Sequence, residues 1–184
     1  MSWNIDSAHT RANFVAKHMM IANVHGQFNK VSGVVDFNET QPAKSSVDVQ
    51  IESASIYTQE DKRDAHLRSA DFLEVEKYPY LTFKSKKVQV TGDNTGRITG
   101  DLTIKDVTRE VVLEVEYNGQ SKSPWGTTNA GFSASTKINR KDWGLTWNVA
   151  LETGGWLVGD EVKISIEAEI VKQAEPARVE AVAA

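Results

Sequence analysis

The side chains that come nearest to doing chemistry in this sequence are four histidines, His9, His18, His25 and His66, and two arginines, Arg109 and Arg140. The histidines sit at no spacing that matches a zinc helix or hairpin site, and Asp64-Ala65-His66 could supply only two ligands, so no metal site is expected. The absence of cysteine removes disulfides, thiolate metal sites and cysteine nucleophiles. No Gly-x-Ser-x-Gly elbow occurs, which leaves Ser and Thr as nucleophiles with no identifiable base. No cofactor is expected, and the chain does not read as an enzyme. The arginines could receive an anionic head group through charge-assisted hydrogen bonds, if the fold brings them to one site.

The elements that would position them are strands. Gly96 to Tyr117 reads as a β-hairpin: Ile98, Gly100, Leu102 and Ile104 share one face, as do Val111, Leu113, Val115 and Tyr117, with the turn at Lys105-Asp106. The same period of two runs through Ala12–His18, Val31–Phe37, Val47–Ile51, Leu81–Val90, Phe132–Ile138 and Val162–Ile170, and Lys86-Lys87 interrupts it as a bulge would. Between Ala12–His18 and Val31–Phe37 lies a connection over Ile21 to Gly26. The one credible helix lies near Glu60 to Leu73, with Thr58 as its N-cap and Ala65, Ser69, Phe72 and Leu73 near one side.

Eight alternating strands and one helix predict an all-β fold, an eight-stranded antiparallel barrel, because closure removes the edges that invite aggregation. Such a barrel can hold one ligand. The inward-phased wall residues are Phe14, Ala16, His18, Val35, Phe37, Val49, Ile51, Phe83, Ile98, Gly100, Leu102, Leu113, Val115, Phe132, Ala134, Ile164 and Ile166. The small residues Ala16, Gly33, Ser85, Gly100, Ala134 and Ala168 on this face favour a cavity. Strand parity sends Ile21–Gln27, the helix, the Lys105-Asp106 turn and Asn139–Gly159 to one end, which is the expected mouth. Arg109 and Arg140 fall at that end in phase with the interior. The alternative is surface pairing of Arg109 with Asp106 or Glu110 and of Arg140 with Asp142. His18 reads as a hydrogen-bonded wall residue; in the competing enzyme reading it is the base. A third reading is a packed barrel acting through its surface.

Length and composition suit one domain over residues 1–172 followed by a disordered tail at 173–184, where the apolar pattern is too thin to pack. A net charge of −4 with interspersed acids and bases excludes a phosphate-backbone footprint, so nucleic acid is not a partner. No apolar run is long enough to span a membrane as a helix. The N-terminus lacks the features of an export signal, which makes the expected location cytoplasmic, and a homodimer is the one protein assembly the reading admits.

Several stretches together resemble the YceI-like family of polyisoprenoid-binding, lipocalin-like proteins: Trp3-Asn4-Ile5-Asp6 to His9; His18 through VHGQFNKVSG; DAHLRSADFLEVEKYPYLTF; GDLTIKDVTREVVL; AGFSASTKINRKDWGL; and GDEVKISIEAEI. The resemblance covers nearly the whole chain to about Lys172. It implies a barrel with a lateral helix whose apolar interior accommodates a long isoprenoid lipid, a polyprenyl diphosphate or prenyl quinone, as carrier or storage protein. Where the family usually has glycine in the hairpin turn this chain has Asp106.

Overall fold

A computed structural model describes residues 2–172, so the expected tail at 173–184 lies outside the described residues. The strands are β1 (Ser2–Ile5), β2 (Arg11–His18), β3 (Ala22–Phe28), β4 (Val31–Asp36), β5 (Ser46–Glu52), β6 (Ile56–Tyr57), β7 (Tyr80–Val90), β8 (Thr95–Ile104), β9 (Val107–Lys122), β10 (Thr128–Asn139) and β11 (Val158–Lys172). These eleven segments form eight strands, because β1/β2, β3/β4 and β5/β6 are each one strand bent in two. All pairings are antiparallel between sequence neighbours, β2 with β3, β1 with β4, β4 with β5 and so on round to β10 with β11. The ring then closes on β11, whose two halves pair with β1 (Trp3↔Lys172) and β2 (Ala12↔Ile166). The expected eight-stranded antiparallel barrel with one helix is therefore the fold.

The bend between β1 and β2 is held by side chains that replace the interrupted ladder. Asp6 Oδ1 accepts from the Ala8 N–H at 2.9 Å, His9 Nδ1 lies 3.0 Å from Asp6 Oδ2, and buried Thr10 bonds both the carbonyl and the N–H of Glu169. The bulge expected near Lys86-Lys87 is present as a register shift between Ser85 and Lys87. Nearby, Ser85 Oγ accepts from the Val47 N–H at 2.8 Å, which satisfies a donor beyond the end of the β5–β7 pairing.

Two local expectations are corrected, on the Ile21 to Gly26 connection and on the helix with its cap. The connection over Ile21 to Gly26 is largely strand β3, which pairs residue for residue with β2 from His18↔Ala22 to Ala12↔Phe28. Its own pattern is too weak to reveal it, since one inward position is Gly26, over which the Phe14 ring lies. The helix α1 is shorter, Asp61–Arg68, and its cap is Glu60, whose carboxylate accepts from the N–H groups of Lys62 and Arg63. Thr58 is instead buried against Asp64, which accepts from its N–H at 2.8 Å and its hydroxyl at 2.5 Å. In the β8–β9 turn the left-handed residue is Lys105 (φ 58°).

Candidate functional site

The barrel encloses a cavity of about 870 Å³. Its wall follows from the period of two: Phe14, Ala16, Val35, Phe37, Val49, Ile51, Phe83, Ile98, Leu102, Leu113, Val115, Phe132, Ala134, Ile164 and Ile166 all line it. His18 and Gly100 do not. His18 sits exposed at the end of β2, beyond the last wall residue on that strand, Ala16. Gly100 is buried under its neighbours: a Cβ there would come 2.5 Å from Phe83 Cζ and 2.6 Å from the Lys84 carbonyl. The small inward residues therefore divide by purpose. Ala16, Ala134 and Ala168 leave open volume, whereas Gly33 and Gly100 let a neighbouring chain approach closely.

One end of the cavity is plugged. The segment after α1 turns inward on the Leu73 N–H to Leu67 carbonyl bond, 3.0 Å, and places Phe72 and Leu73 at 8% and 7% exposure across the barrel end. Ile56, Leu81, Ile104, Val111, Ile138 and Trp143 form one buried cluster with Leu73, and Trp143 Nε1 donates to the Leu102 carbonyl at 3.0 Å. Trp147 packs 5.4 Å from Phe72 and 4.5 Å from His66, ring to ring, so the long loop between β10 and β11 and the helix segment cover this end together.

Arg140 fastens that loop. It is 3% exposed, and it donates to the carbonyls of Leu145 (2.5 Å), Trp147 (3.0 Å), Gly159 (2.9 Å) and Val158 (3.4 Å), with Asp160 at 3.5 Å. Burial pushes the guanidinium below its ordinary range, and the Asp160 carboxylate opposes the shift. Arg140 thus touches the cavity with its donors already committed to backbone. Arg109 is exposed and outside the lining, so the two arginines do not form one site. Nor do they make the alternative surface pairs: Arg140 pairs with Asp160, and Glu110 pairs with Lys86.

The opening is at the other end, which corrects the expected mouth. There the lining includes exposed Glu39, Pro42, Gln89, Val90, Gly92, Asp93, Asn94, Thr95, Arg97 and Gln120. Short polar turns cannot reach back across a barrel end. Asn38 Oδ1 accepts from the N–H groups of Thr40 (3.2 Å) and Gln41 (2.9 Å), fixing the turn that presents Glu39 at the rim. Just inside the rim, Phe37, Tyr117 and Phe132 pack with centroids 5.2–5.7 Å apart, and Phe37 meets the fully buried Trp3 edge-on. Burial first, then the nearby Glu39 charge, raises the Tyr117 phenol above its ordinary value. Glu39 itself is held below the usual carboxylate range by Lys172, 2.7 Å away, against a smaller desolvation effect.

The side chains considered for metal binding go elsewhere. Asp64 is taken by Thr58, and His66 pairs with Asp71 at 2.8 Å. A group that sequence spacing did not reveal is Asp6, His9 and Glu169, whose ligating atoms lie within 4.8 Å of one another outside the cavity. Each already has a partner: the hydrogen bond to Asp6 raises the His9 imidazole above its ordinary value, and Glu169 receives Asn129.

A sequence profile for the YceI-like domain matches residues 3–170. The protein YceI of Escherichia coli is 40% identical over 168 residues, covering 91% of this chain and 84% of that protein. Among solved structures, the YCEI protein of Campylobacter jejuni superposes with a TM-score of 0.73 at 35% identity, covering 86% of this chain and 90% of that one. A polyisoprenoid binding domain from Saccharophagus degradans gives a TM-score of 0.71 over 93% of this chain and 98% of that one, and at 14% identity it speaks for the fold alone.

Proposed function

This chain belongs to the YceI-like family, and from that premise we propose that it binds one long isoprenoid lipid, a polyprenyl diphosphate or a prenyl quinone, inside the barrel as a carrier or storage protein. The observation that carries the reading is the cavity: a wall of aliphatic and aromatic side chains along its length, plugged at one end and open at the other. A cavity of about 150 Å³ takes benzene, so roughly 25 Å³ serves each carbon. On that scale 870 Å³ has room for at most about 35 carbons, or about seven isoprene units. Removing such a chain from water at roughly 0.8 kcal/mol per buried methylene supplies ample driving force, so that affinity comes from the chain and selectivity from the rim. The polyisoprenoid binding domain named above has the same fold and lends support by analogy.

Binding without turnover is part of the proposal. The competing enzyme reading needed His18 as base, and His18 lies outside the lining. The test is organic extraction of the purified protein followed by mass spectrometry. A co-purifying prenyl compound, recovered chemically unchanged after incubation, is expected. A clean extract combined with failure to take up added prenyl lipid would sink the proposal.

A further inference from the structure

The charges that line the cavity are few and their partners are specific. Arg140 is at the plugged end with its donors on carbonyls. At the rim, Arg97 Nε is held by Glu114 at 2.7 Å, and Lys172, beside the lining, is held by Glu39 at 2.7 Å and sits 5.4 Å over the Trp3 ring. Asp93 lines the rim with no ion-pair partner among the described residues. Among the described lining residues, the opening therefore offers a carboxylate without an ion-pair partner and no cation without one. Neutral donors are present there: the Gln89 and Asn94 amides line it, Gln120 lines it with its amide turned to Glu39 at 3.4 Å, and the Tyr117 hydroxyl makes no hydrogen bond among the described residues. A phenol is protonated, and hence a donor, across the physiological range, and burial shifts this one further in the same direction.

We propose that the rim selects a neutral, hydrogen-bond-accepting head group, such as a prenyl quinone carbonyl or a prenyl alcohol, against an isoprenoid diphosphate. A diphosphate brings several negative charges to a rim where Arg97 and Lys172 are already ion-paired and Asp93 repels it, and its recognition ordinarily requires free arginine or lysine. A quinone carbonyl or an alcohol needs only the amide and phenol donors present. The inference rests on the lipid-binding reading above, and it chooses between the head groups that reading leaves open.

The test titrates the full chain with geranylgeraniol and with geranylgeranyl diphosphate, which share a chain and differ in the head. At low salt the alcohol is expected to bind at least about tenfold more tightly, with the gap shrinking as salt screens the rim. Glu39→Gln, which releases Lys172, and Asp93→Asn should each narrow the gap severalfold by strengthening the diphosphate. Diphosphate binding as tight as the alcohol in the parent protein would overturn the neutral-head inference and leave lipid binding standing. A preference that neither substitution changes would overturn its electrostatic origin. Binding of neither ligand would overturn both this inference and the reading it rests on.

Discussion

The two ends of the barrel are built from opposite kinds of connection. At the plugged end the long segments after β6 and β10 carry Phe72 and Leu73 and Trp143, Leu145 and Trp147, which fold back over the interior, and the second segment is locked by Arg140 on four carbonyls. At the open end the connections after β7 and β9 are short, the first polar and the second holding Trp125 out in solvent, and the turn before β5 is occupied with its own Asn38 hydrogen bonds. Length alone would place the mouth among the longer loops. What decides is whether a connection carries apolar surface that gains by covering the interior. One end is closed by packed apolar connections and the other is left open, and substitutions should separate the two.

The largest effect is expected from Trp143→Ala. The side chain is 3% exposed and its N–H is bonded to Leu102, so its loss should cost about 3–5 kcal/mol in chemical denaturation. A cost below about 1 kcal/mol would show that the plug is not held by this packing. Next comes a contrast within the wall. Gly100→Ala forces a methyl against Phe83 and the Lys84 carbonyl and should cost about 1–3 kcal/mol. Ala134→Trp, which faces the cavity, should keep a native far-ultraviolet circular dichroism spectrum and near-native stability while ligand uptake falls at least about tenfold. If the two variants behaved alike, the separation of close-approach from cavity positions would be wrong.

Smaller effects belong to the open end. Lys172→Met removes an ion pair that is about a third exposed, and a change within about 1 kcal/mol, diminishing with salt, is expected. A loss as large as that of Trp143→Ala would erase the contrast between the ends. The smallest effect is pH-dependent. A phenol whose pKa is raised in the folded state contributes stability that is complete below the ordinary phenol value and fades as pH climbs through the raised one. An absorbance titration of phenolate should therefore contain a component above the ordinary value that vanishes in Tyr117→Phe. Identical curves would mean that Tyr117 is as wet as a free phenol.

Much of the barrel was legible because alternation is a local property. Eight strands, the bulge near Lys86 and fifteen of the cavity-lining positions all follow from which faces of a pleated chain are apolar. His18 and Gly100 carry the same phase, yet neither reaches the cavity. Phase says which face a residue is on and nothing about how far along the barrel it sits or whether a neighbouring strand has already filled the space. Strand β3 escaped notice for a related reason: Gly26 contributes no side chain to the pattern and is paired by β2 and covered by Phe14. The apolar content of the Thr58–Pro79 and Arg140–Leu157 connections, set against the polar turns opposite, was the available signal for the plug.

By itself, then, the amino-acid sequence determined the strand class, the count of strands, their inward faces and the family, since each depends on residues close together in the chain or on motifs in order. Only the tertiary structure decided which end is open, that Arg140 serves a loop and Arg109 the surface, and that Arg97 and Lys172 are ion-paired at the rim. Those outcomes depend on partners far apart in sequence, as with Lys172 on Glu39 or Arg140 on Gly159, and a side chain's charge becomes available to a ligand only after the fold has fixed which groups compete for it.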